Sequence, residues 1–288
     1  MDVEPEQLER EGWTVTTVTS RDKPPRIQAQ LVTAEGVRAS VTRFDPDASP
    51  WATVEVSLPK IANGDNAGLL EWGDVQAAAD IMVESASEAA RFTFQPAATW
   101  RVNRIDAVWA WAAVPGPYLS ALALGTLPRC TMARYASGVR WSLPAGGVVA
   151  RGYDKAKEAG HDVALPLRIE RQARPNKHKV CVNGQQVGGP WATFDAQTAL
   201  GMVRELVVGL GLNRPVLTPQ AARVRLVDVH GPRVGENVYR AMLAAREAGG
   251  WEGVGGTPGT RRRHRRLAAE AGVTTLYDVE MPPLDVPS

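Results

Sequence analysis

The chain has 288 residues, of which 44% are hydrophobic and 22% charged, with a formal net charge of +2. This composition excludes an intrinsically disordered chain, and the length allows one large domain with a small one. The two cysteines, Cys130 and Cys181, form no metal-binding or disulfide pattern, which is typical of a reducing compartment. The acidic N-terminus lacks signal-peptide features, and no charge-free apolar run approaches the roughly 18 residues of a membrane span. We therefore expect a cytoplasmic protein without a membrane partner.

The first third of the chain predicts strands followed by a helix. Three β-type runs separated by turn signals lie within residues 28–58. In the third run Glu55 lies opposite the apolar positions, and we expect this strand to end at Pro59. Apolar residues at helical spacing then predict a helix over residues 75–91.

Residues 101–111 predict a strand with one purely apolar face. Arg104 and Asp106 lie together on its other face if alternation holds. A carboxylate on an otherwise buried strand is either a salt-bridged structural group or a ligand, so both interpretations of Asp106 remain open. A short helix is expected to follow at residues 117–124.

Two later strands present a tyrosine and an acid in the same way. Residues 133–143, taken as one strand, and residues 148–153 are expected to form a hairpin with Tyr153 on the second strand. The strand at residues 165–171 places Glu170 opposite apolar side chains. A sheet with chemical groups on one face is typical of an active site, although a solvated sheet face shows the same pattern.

The last third of the chain predicts helices. Residues 196–210 form one helix, and a second begins at Gly235 and ends before a glycine-rich turn. The basic helix at 260–273 completes the outline of a helix-turn-helix, and its arginines suit phosphates more than bases. The arginines are Arg261, Arg262, Arg263, Arg265 and Arg266. A solvated basic face or an RNA-binding tail is the alternative, and residues 281–288 are expected to form a disordered tail.

The segment from Tyr153 to Glu170 combines groups suited to phosphoryl transfer. Tyr153 is a competent covalent nucleophile, Lys155 and Lys157 can hold a phosphate, and the Glu170 carboxylate can hold a divalent metal. The competing interpretation of Tyr153 is a core tyrosine with its hydroxyl at the sheet rim.

Four segments of the chain form an ordered set of motifs. They are Val56–Lys60 with Asn63–Asn66, Arg104–Asp106, Tyr153–Glu158 with Leu167–Glu170, and Thr260–Gly272. In order and rough spacing, over about residues 50–275, they resemble the replication initiators of filamentous phages and related rolling-circle plasmids, the gene II/gene X type. The chain departs from better-known relaxases because its four histidines, His161, His178, His230 and His264, are isolated from one another.

The resemblance implies metal-dependent nicking and rejoining of one origin DNA strand through a 5′-phosphotyrosine intermediate. Tyr153 occupies the position of the nucleophile, and Lys155 would lower its pKa or hold the scissile phosphate. Asp106 and Glu170, with Glu55 as a weaker third ligand, would hold Mg²⁺ or Mn²⁺. Tyr135 and Tyr118 are weaker candidates for a second tyrosine.

The expected partner is origin DNA, single-stranded or supercoiled, in the cytoplasm of a bacterial host. Lys60 joins the late arginines as a DNA contact, and a host helicase and a second copy of the chain are further candidate partners. Two other functions remain open. One is a non-catalytic origin-binding or regulatory protein, and the other is a metal-dependent nuclease without a covalent intermediate.

The predicted fold class is α+β. We expect a five-stranded, largely antiparallel sheet with helices on one face and the active site on the other, and a relaxase or ferredoxin-like duplication as an analogy. The predicted domains are a catalytic nicking domain at 1–212, a helical DNA-binding module at 213–280 and a tail at 281–288.

Overall fold

The chain forms two compact units, Met1–Arg101 with Pro190–Thr193, and Val102–Gly189 with Phe194–Ser288. The computed structural model describes residues 5–20, 23–33, 36–43, 51–65, 68–90, 93–123, 125, 127, 129–144, 147–175, 180–248, 250–273, 276 and 281–285. His178 lies outside these residues.

Within its described residues the first unit contains a four-stranded antiparallel sheet in sequential order, three α-helices and two short 3-10 helices at Ala97–Thr99 and Trp191–Thr193. Its elements are α1 Pro5–Arg10, β1 Thr14–Ser20, β2 Lys23–Val32, β3 Arg38–Arg43, β4 Trp51–Glu55, α2 Leu58–Asn63 and α3 Trp72–Ala90. The core includes Trp13, Ala39 and Val83. The predicted helix at 75–91 is confirmed as α3 up to Ala90, and Arg91 lies outside the described residues.

The predicted continuation of the third strand to Leu58 is wrong. The strand ends at Glu55, and Leu58 begins α2 with Pro59 in its first turn. Proline is favourable there because the first helical N–H groups have no intrahelical acceptor. The motif that ends at Lys60 therefore lies on a helix, and Lys60 is exposed.

The second unit contains the five-stranded sheet that positions the candidate site. Its order is β6-β10-β9-β8-β7, and every neighbouring pair is antiparallel. Its strands are β6 Ile105–Trp111, β7 Thr131–Tyr135, β8 Gly138–Ser142, β9 Val148–Asp154 and β10 Leu167–Ala173. Four shorter strands elsewhere in the chain are β5 Arg101–Val102, β11 Cys181–Val182, β12 Gln185–Gln186 and β13 Gly189–Pro190. The predicted α+β class is confirmed, whereas residues 133–143 are two strands joined at Ala136–Ser137.

Helices cover the apolar face of this sheet. They are α4 Pro115–Leu122 and α6 Ala196–Gly209, while the short α5 Lys155–Ala159 follows β9. Leu119 and Leu122 of α4 lie against Gly152, and α6 packs on β6 and β10. Asp195 caps α6 by accepting a hydrogen bond from Thr198 N at 2.7 Å.

Three helices pack around a further core in the second unit. They are α7 Pro219–His230, α8 Pro232–Glu247 and α9 Pro258–Glu270, and α7 was not predicted. Their shared core includes Leu226, Val238 and Ala268. Residues 248–257 connect α8 to α9, a longer connection than the roughly three to four residues of a helix-turn-helix. The helix-turn-helix prediction is therefore wrong in its connection, although the basic helix is present.

The predicted disorder of the final segment is wrong for residues 281–285. Met281 and Leu284 are buried, and Leu284 N donates to Leu212 O at 2.8 Å. The Tyr118 hydroxyl donates to Pro282 O at 2.9 Å, so this segment belongs to the packed unit. The proposed boundaries at 212 and 280 fall inside that unit, and the assignment of separate catalytic and DNA-binding domains stays a prediction.

None of the helices that the structure describes is long and apolar enough to cross a membrane.

Candidate functional site

The five-stranded sheet carries a row of polar side chains on the face opposite α4 and α6, here named the polar sheet face. Side chains of paired residues in neighbouring strands lie on the same face, and so do residues two apart within a strand. The register pairs Glu170 with Arg151 and Arg151 with Arg140, and it pairs Asp106 with Gln172. The face thus contains Asp106, Tyr135, Arg140, Arg151, Tyr153, Arg168, Glu170 and Gln172.

Each of the two acids on this face is bound by a guanidinium group. Arg104 donates from Nε to Asp106 Oδ1 at 3.1 Å and from Nη2 to Oδ2 at 2.5 Å. Arg151 donates from Nε to Glu170 Oε1 at 3.0 Å and from Nη2 to Oε2 at 2.6 Å. Bidentate pairs of this kind are strong and directional. Burial raises the pKa of the Glu170 carboxyl, and the hydrogen bonds from Arg151 offset part of that rise.

The acids proposed as metal ligands do not form a prepared metal site. Glu55 is exposed on β4 in the other unit, whereas Asp106 and Glu170 lie on the polar sheet face. Within the described part of the chain, no three His, Cys, Asp or Glu side chains form a group that could hold a metal. All four oxygens of Asp106 and Glu170 already accept guanidinium hydrogen bonds, which a divalent cation would have to displace. These residues therefore do not fit the expected ion, and the Mg²⁺ or Mn²⁺ requirement stays a prediction.

Tyr153 is buried in the middle of this charged surface. Its side chain is 4% exposed, and the Arg151 guanidinium carbon lies 5.2 Å from its ring centroid. Burial, with a smaller contribution from the Glu170 charge, raises the pKa of Tyr153 to about 12. A neutral phenol is a weak nucleophile, so attack by Tyr153 requires a base to remove its proton.

The two predicted lysines lie beyond the end of the tyrosine strand. Lys155 is buried, and its Nζ forms an ion pair with Glu158 Oε2 at 2.9 Å. The pKa of Tyr153 is raised overall, with burial as the main cause, and the alternative role of Lys155 in holding the scissile phosphate stays a prediction. Lys157 is exposed beside a shallow depression of about 240 Å³ between α4 and the β7–β8 hairpin.

Tyr135 is the more accessible tyrosine of the polar sheet face. It lies on the edge strand β7, and Gly138 of β8 is paired with both Tyr135 and Tyr153. Tyr135 is 36% exposed, and burial raises the pKa of its hydroxyl while Arg151 acts to lower it. Tyr118 instead lies on α4 with its hydroxyl bound to Pro282 O, so the sheet separates it from the polar face.

The basic helix α9 has one face in the helical core and the other in solvent. Ala268 is buried, while the four exposed arginines are Arg262, Arg263, Arg265 and Arg266. Arg261 differs because its Nη1 donates to Val254 O at 3.0 Å, and its side chain is 21% exposed. Arg266 Nε lies 3.3 Å from Glu270 Oε1. Arg261 therefore fixes the turn before α9, and the other four arginines form its charged surface.

Side chains from the preceding segment bind the carboxyl end of α9. Arg214 Nη1 donates to Ala269 O at 2.6 Å, and Arg225 Nε donates to Ala271 O at 3.2 Å. His230 Nε2 lies 2.7 Å from Leu267 O. Leu267 O and Ala269 O also accept backbone hydrogen bonds from Ala271 N and Gly272 N, so these side chains add to the bonds at this end. The two guanidinium groups complement the helix dipole, and the three contacts hold α9 in a defined position on the helical core.

Three functional candidates on the polar sheet face were not assigned from the sequence, namely Arg140, Arg151 and Arg168. The signal for Arg151 and Arg168 was present, because alternation places them on the faces of Tyr153 and Glu170. Arg140 could be placed there only once β7 and β8 were known to be separate strands.

Comparison of the chain with protein-family models, with curated proteins and with solved structures finds no match. Proposals for its function therefore start from the chemistry of the polar sheet face and of α9.

Proposed function

We propose that this chain is an origin-DNA-binding protein that contacts the phosphate backbone through α9. The observation that carries this proposal is the exposed group of four arginines on a helix whose opposite face is fixed in a core. Guanidinium groups bind phosphates and release counterions from DNA, which gives strong, salt-dependent affinity.

The arginine positions favour phosphate contact over base recognition. Arg262 and Arg263 are consecutive, as are Arg265 and Arg266, so they project over a wide arc of the helix rather than along one narrow line. Backbone contacts of this kind position a protein on DNA and carry no sequence information by themselves. Preference for an origin would then require further contacts.

Duplex binding measured by fluorescence anisotropy over a range of salt concentrations tests the proposal. Replacing Arg262, Arg263, Arg265 and Arg266 by Gln should weaken binding and lower the salt slope by about 0.9 for each phosphate that is no longer neutralised. The matched control is Arg240→Gln, which removes one exposed arginine from α8. Unchanged affinity and slope in the fourfold variant would refute binding through α9.

Strand nicking through a tyrosine is a second candidate function. The observation that favours it is the presence of Tyr135, Tyr153, Asp106 and Glu170 on one sheet face. In this proposal a tyrosine hydroxyl loses its proton to a base and attacks a phosphodiester, which forms a 5′-phosphotyrosine bond and releases a 3′-hydroxyl. The proposed setting is a bacterial host, where a helicase and a second copy of the chain remain candidate partners.

Denaturing gels of single-stranded and supercoiled DNA, incubated with and without Mn²⁺, test the nicking proposal. A protein-linked strand that disappears in Tyr153→Phe assigns the nucleophile as predicted, and one that disappears only in Tyr135→Phe assigns it to the accessible tyrosine. Nicks without any protein adduct would indicate a nuclease that uses water. Absence of cleavage alongside salt-sensitive binding would leave the DNA-binding function alone.

A further inference from the structure

We infer that the polar sheet face binds a phosphate group between Arg140 and Arg151, and that guanidinium groups rather than a divalent metal neutralise it. This inference rests on the proposed function only where that phosphate belongs to DNA. The two arginines, because they lie next to each other, would bind a free phosphate through the same chemistry.

The β8–β9 pair carries an uncompensated positive charge. Arg140 and Arg151 are directly opposite each other in the register of these strands, and like charges in that relation repel. Arg151 is engaged by Glu170, whereas no ion pair joins Arg140 to another residue that the structure describes. An anion placed between the two guanidinium groups would remove this repulsion.

The space around the two arginines is open to solvent. The neighbour of Arg140 on β7 is Ala133, and the next β8 residue on the same face is Gly138, so two of its neighbours on this face are small. Arg140 is exposed, and the Arg151 side chain is 34% exposed. A ligand can therefore approach from solvent.

Hydrogen-bond donors on the three neighbouring strands β7, β8 and β9 lie on this face of the sheet. Arg151 uses Nε and Nη2 for Glu170, and among the residues that the structure describes none accepts a hydrogen bond from its Nη1, so this group can donate to a ligand. Arg140 offers a whole guanidinium fork, and the Tyr135 hydroxyl lies in the field of both arginines. Such a set of donors matches a tetrahedral phosphate, which accepts several charge-assisted hydrogen bonds at once.

Asp106 and Glu170 orient guanidinium groups rather than hold a cation, because each carboxylate binds an arginine with both oxygens. Among the described residues, Arg104, Arg140, Arg151 and Arg168 outnumber these two acids, and Arg174 adds a positive charge where it donates to Gln172. The charge of Glu158 also acts on Tyr135 and Tyr153, but Glu158 forms an ion pair with Lys155. This excess favours an anion.

The test is titration calorimetry of the full chain in EDTA with inorganic phosphate, and separately with a short oligothymidylate lacking terminal phosphates. Wild type should bind at least one of the two probes, and Arg140→Gln should weaken that binding roughly tenfold, as expected when one charge-assisted hydrogen bond is removed. The matched control is Arg134→Gln, which removes an exposed arginine from the other face of the same hairpin and should leave binding unchanged. Binding of phosphate alone identifies a free phosphate as the ligand, and binding of the oligonucleotide alone identifies a phosphodiester.

Thermal unfolding supplies a second readout and shows whether each variant folds. Arg140→Gln should unfold at the same temperature as wild type or slightly higher, because it removes the repulsion with Arg151. The bound probe should raise the unfolding temperature of wild type more than that of this variant. The inference is overturned if neither probe binds, if Arg140→Gln binds as wild type does, or if binding requires Mg²⁺ and is lost in EDTA.

The two proposals fail separately. Loss of duplex binding in the α9 variant, with no probe bound at Arg140, would support the DNA-binding function and refute the phosphate site. Probe binding that depends on Arg140, in a chain that does not bind duplex DNA, would support the phosphate site and refute the DNA-binding function.

Discussion

The buried hydroxyl of Tyr153 predicts a specific loss of stability at alkaline pH. Its side chain is 4% exposed, and burial raises its pKa to about 12 from the ordinary tyrosine value of 10.0. Because the folded-state pKa lies above the unfolded value, the contribution to stability is complete below about pH 10 and is lost as pH rises through about 12. A pKa difference of about two corresponds to about 3 kcal/mol in the free energy of unfolding.

The comparison of wild type with Tyr153→Phe isolates this contribution, because the phenylalanine variant cannot ionise at this position. Urea unfolding followed by circular dichroism from about pH 8 to about pH 12 should show the wild type losing more stability than the variant. Ultraviolet absorbance should show one tyrosine that ionises near pH 12 in wild type and is missing in the variant. Parallel pH profiles for the two proteins would refute the reasoning.

The same pKa bears on the nicking proposal. At about pH 8 only roughly one Tyr153 side chain in ten thousand would be ionised, since the pH lies about four units below the pKa. Nicking through Tyr153 would therefore rise with pH well above neutrality unless a base removes the proton during attack. A nicking rate that is independent of pH and abolished in Tyr153→Phe would require such a base.

Three further predictions concern stability and the division of roles within α9. Gly138→Ala should destabilise the second unit by about 1–3 kcal/mol, because a Cβ there would clash with the backbone of β9, and unfolding as in wild type would contradict this. Leu284→Ala should lower the free energy of unfolding, measured by urea titration, by about 2–5 kcal/mol, because Leu284 is buried. Pro283→Ala, at an exposed position, should change it little. Equal effects of the two substitutions would show that the terminal segment is not packed. Arg261→Gln should lower the unfolding temperature more than Arg262→Gln does, because Arg261 binds Val254 O. Arg262→Gln should lower duplex affinity, measured by anisotropy, without changing stability. The opposite pattern would mean that Arg262 is the structural residue and Arg261 the DNA contact.

Alternation along strands predicted the central feature of the site from the sequence. Asp106, Tyr153 and Glu170 were placed on one face because side chains in a strand point to opposite faces in turn. The structure places them on β6, β9 and β10 in that arrangement. Local periodicity was sufficient here because these strands pair antiparallel without a break in register.

The parts that the sequence did not predict depend on contacts between distant residues. The pairing of Arg151 with Glu170 follows from the register of β9 and β10, which no local pattern specifies. The packing of residues 281–285 depends on acceptors and donors at Leu212 and Tyr118, far away in sequence. The strand boundary at Ala136–Ser137 carries a turn signal in Ser137–Gly138, which the prediction of one strand over residues 133–143 passed over.

The acids of the polar sheet face illustrate how a ligand pattern and an ion-pair pattern can coincide in a sequence. An isolated carboxylate on a buried strand suggests a metal ligand, yet burial itself requires a partner for the charge, and a guanidinium group supplies one without any ion. Arg104 is two residues from Asp106, and Arg151 is directly opposite Glu170, so each acid meets an arginine before a metal could reach it. Arg140 and Arg168, which share this face, add positive charge beyond these two balanced pairs. Any chemistry on this face would then begin from an anion bound by arginines, with Tyr135 as the accessible hydroxyl beside it.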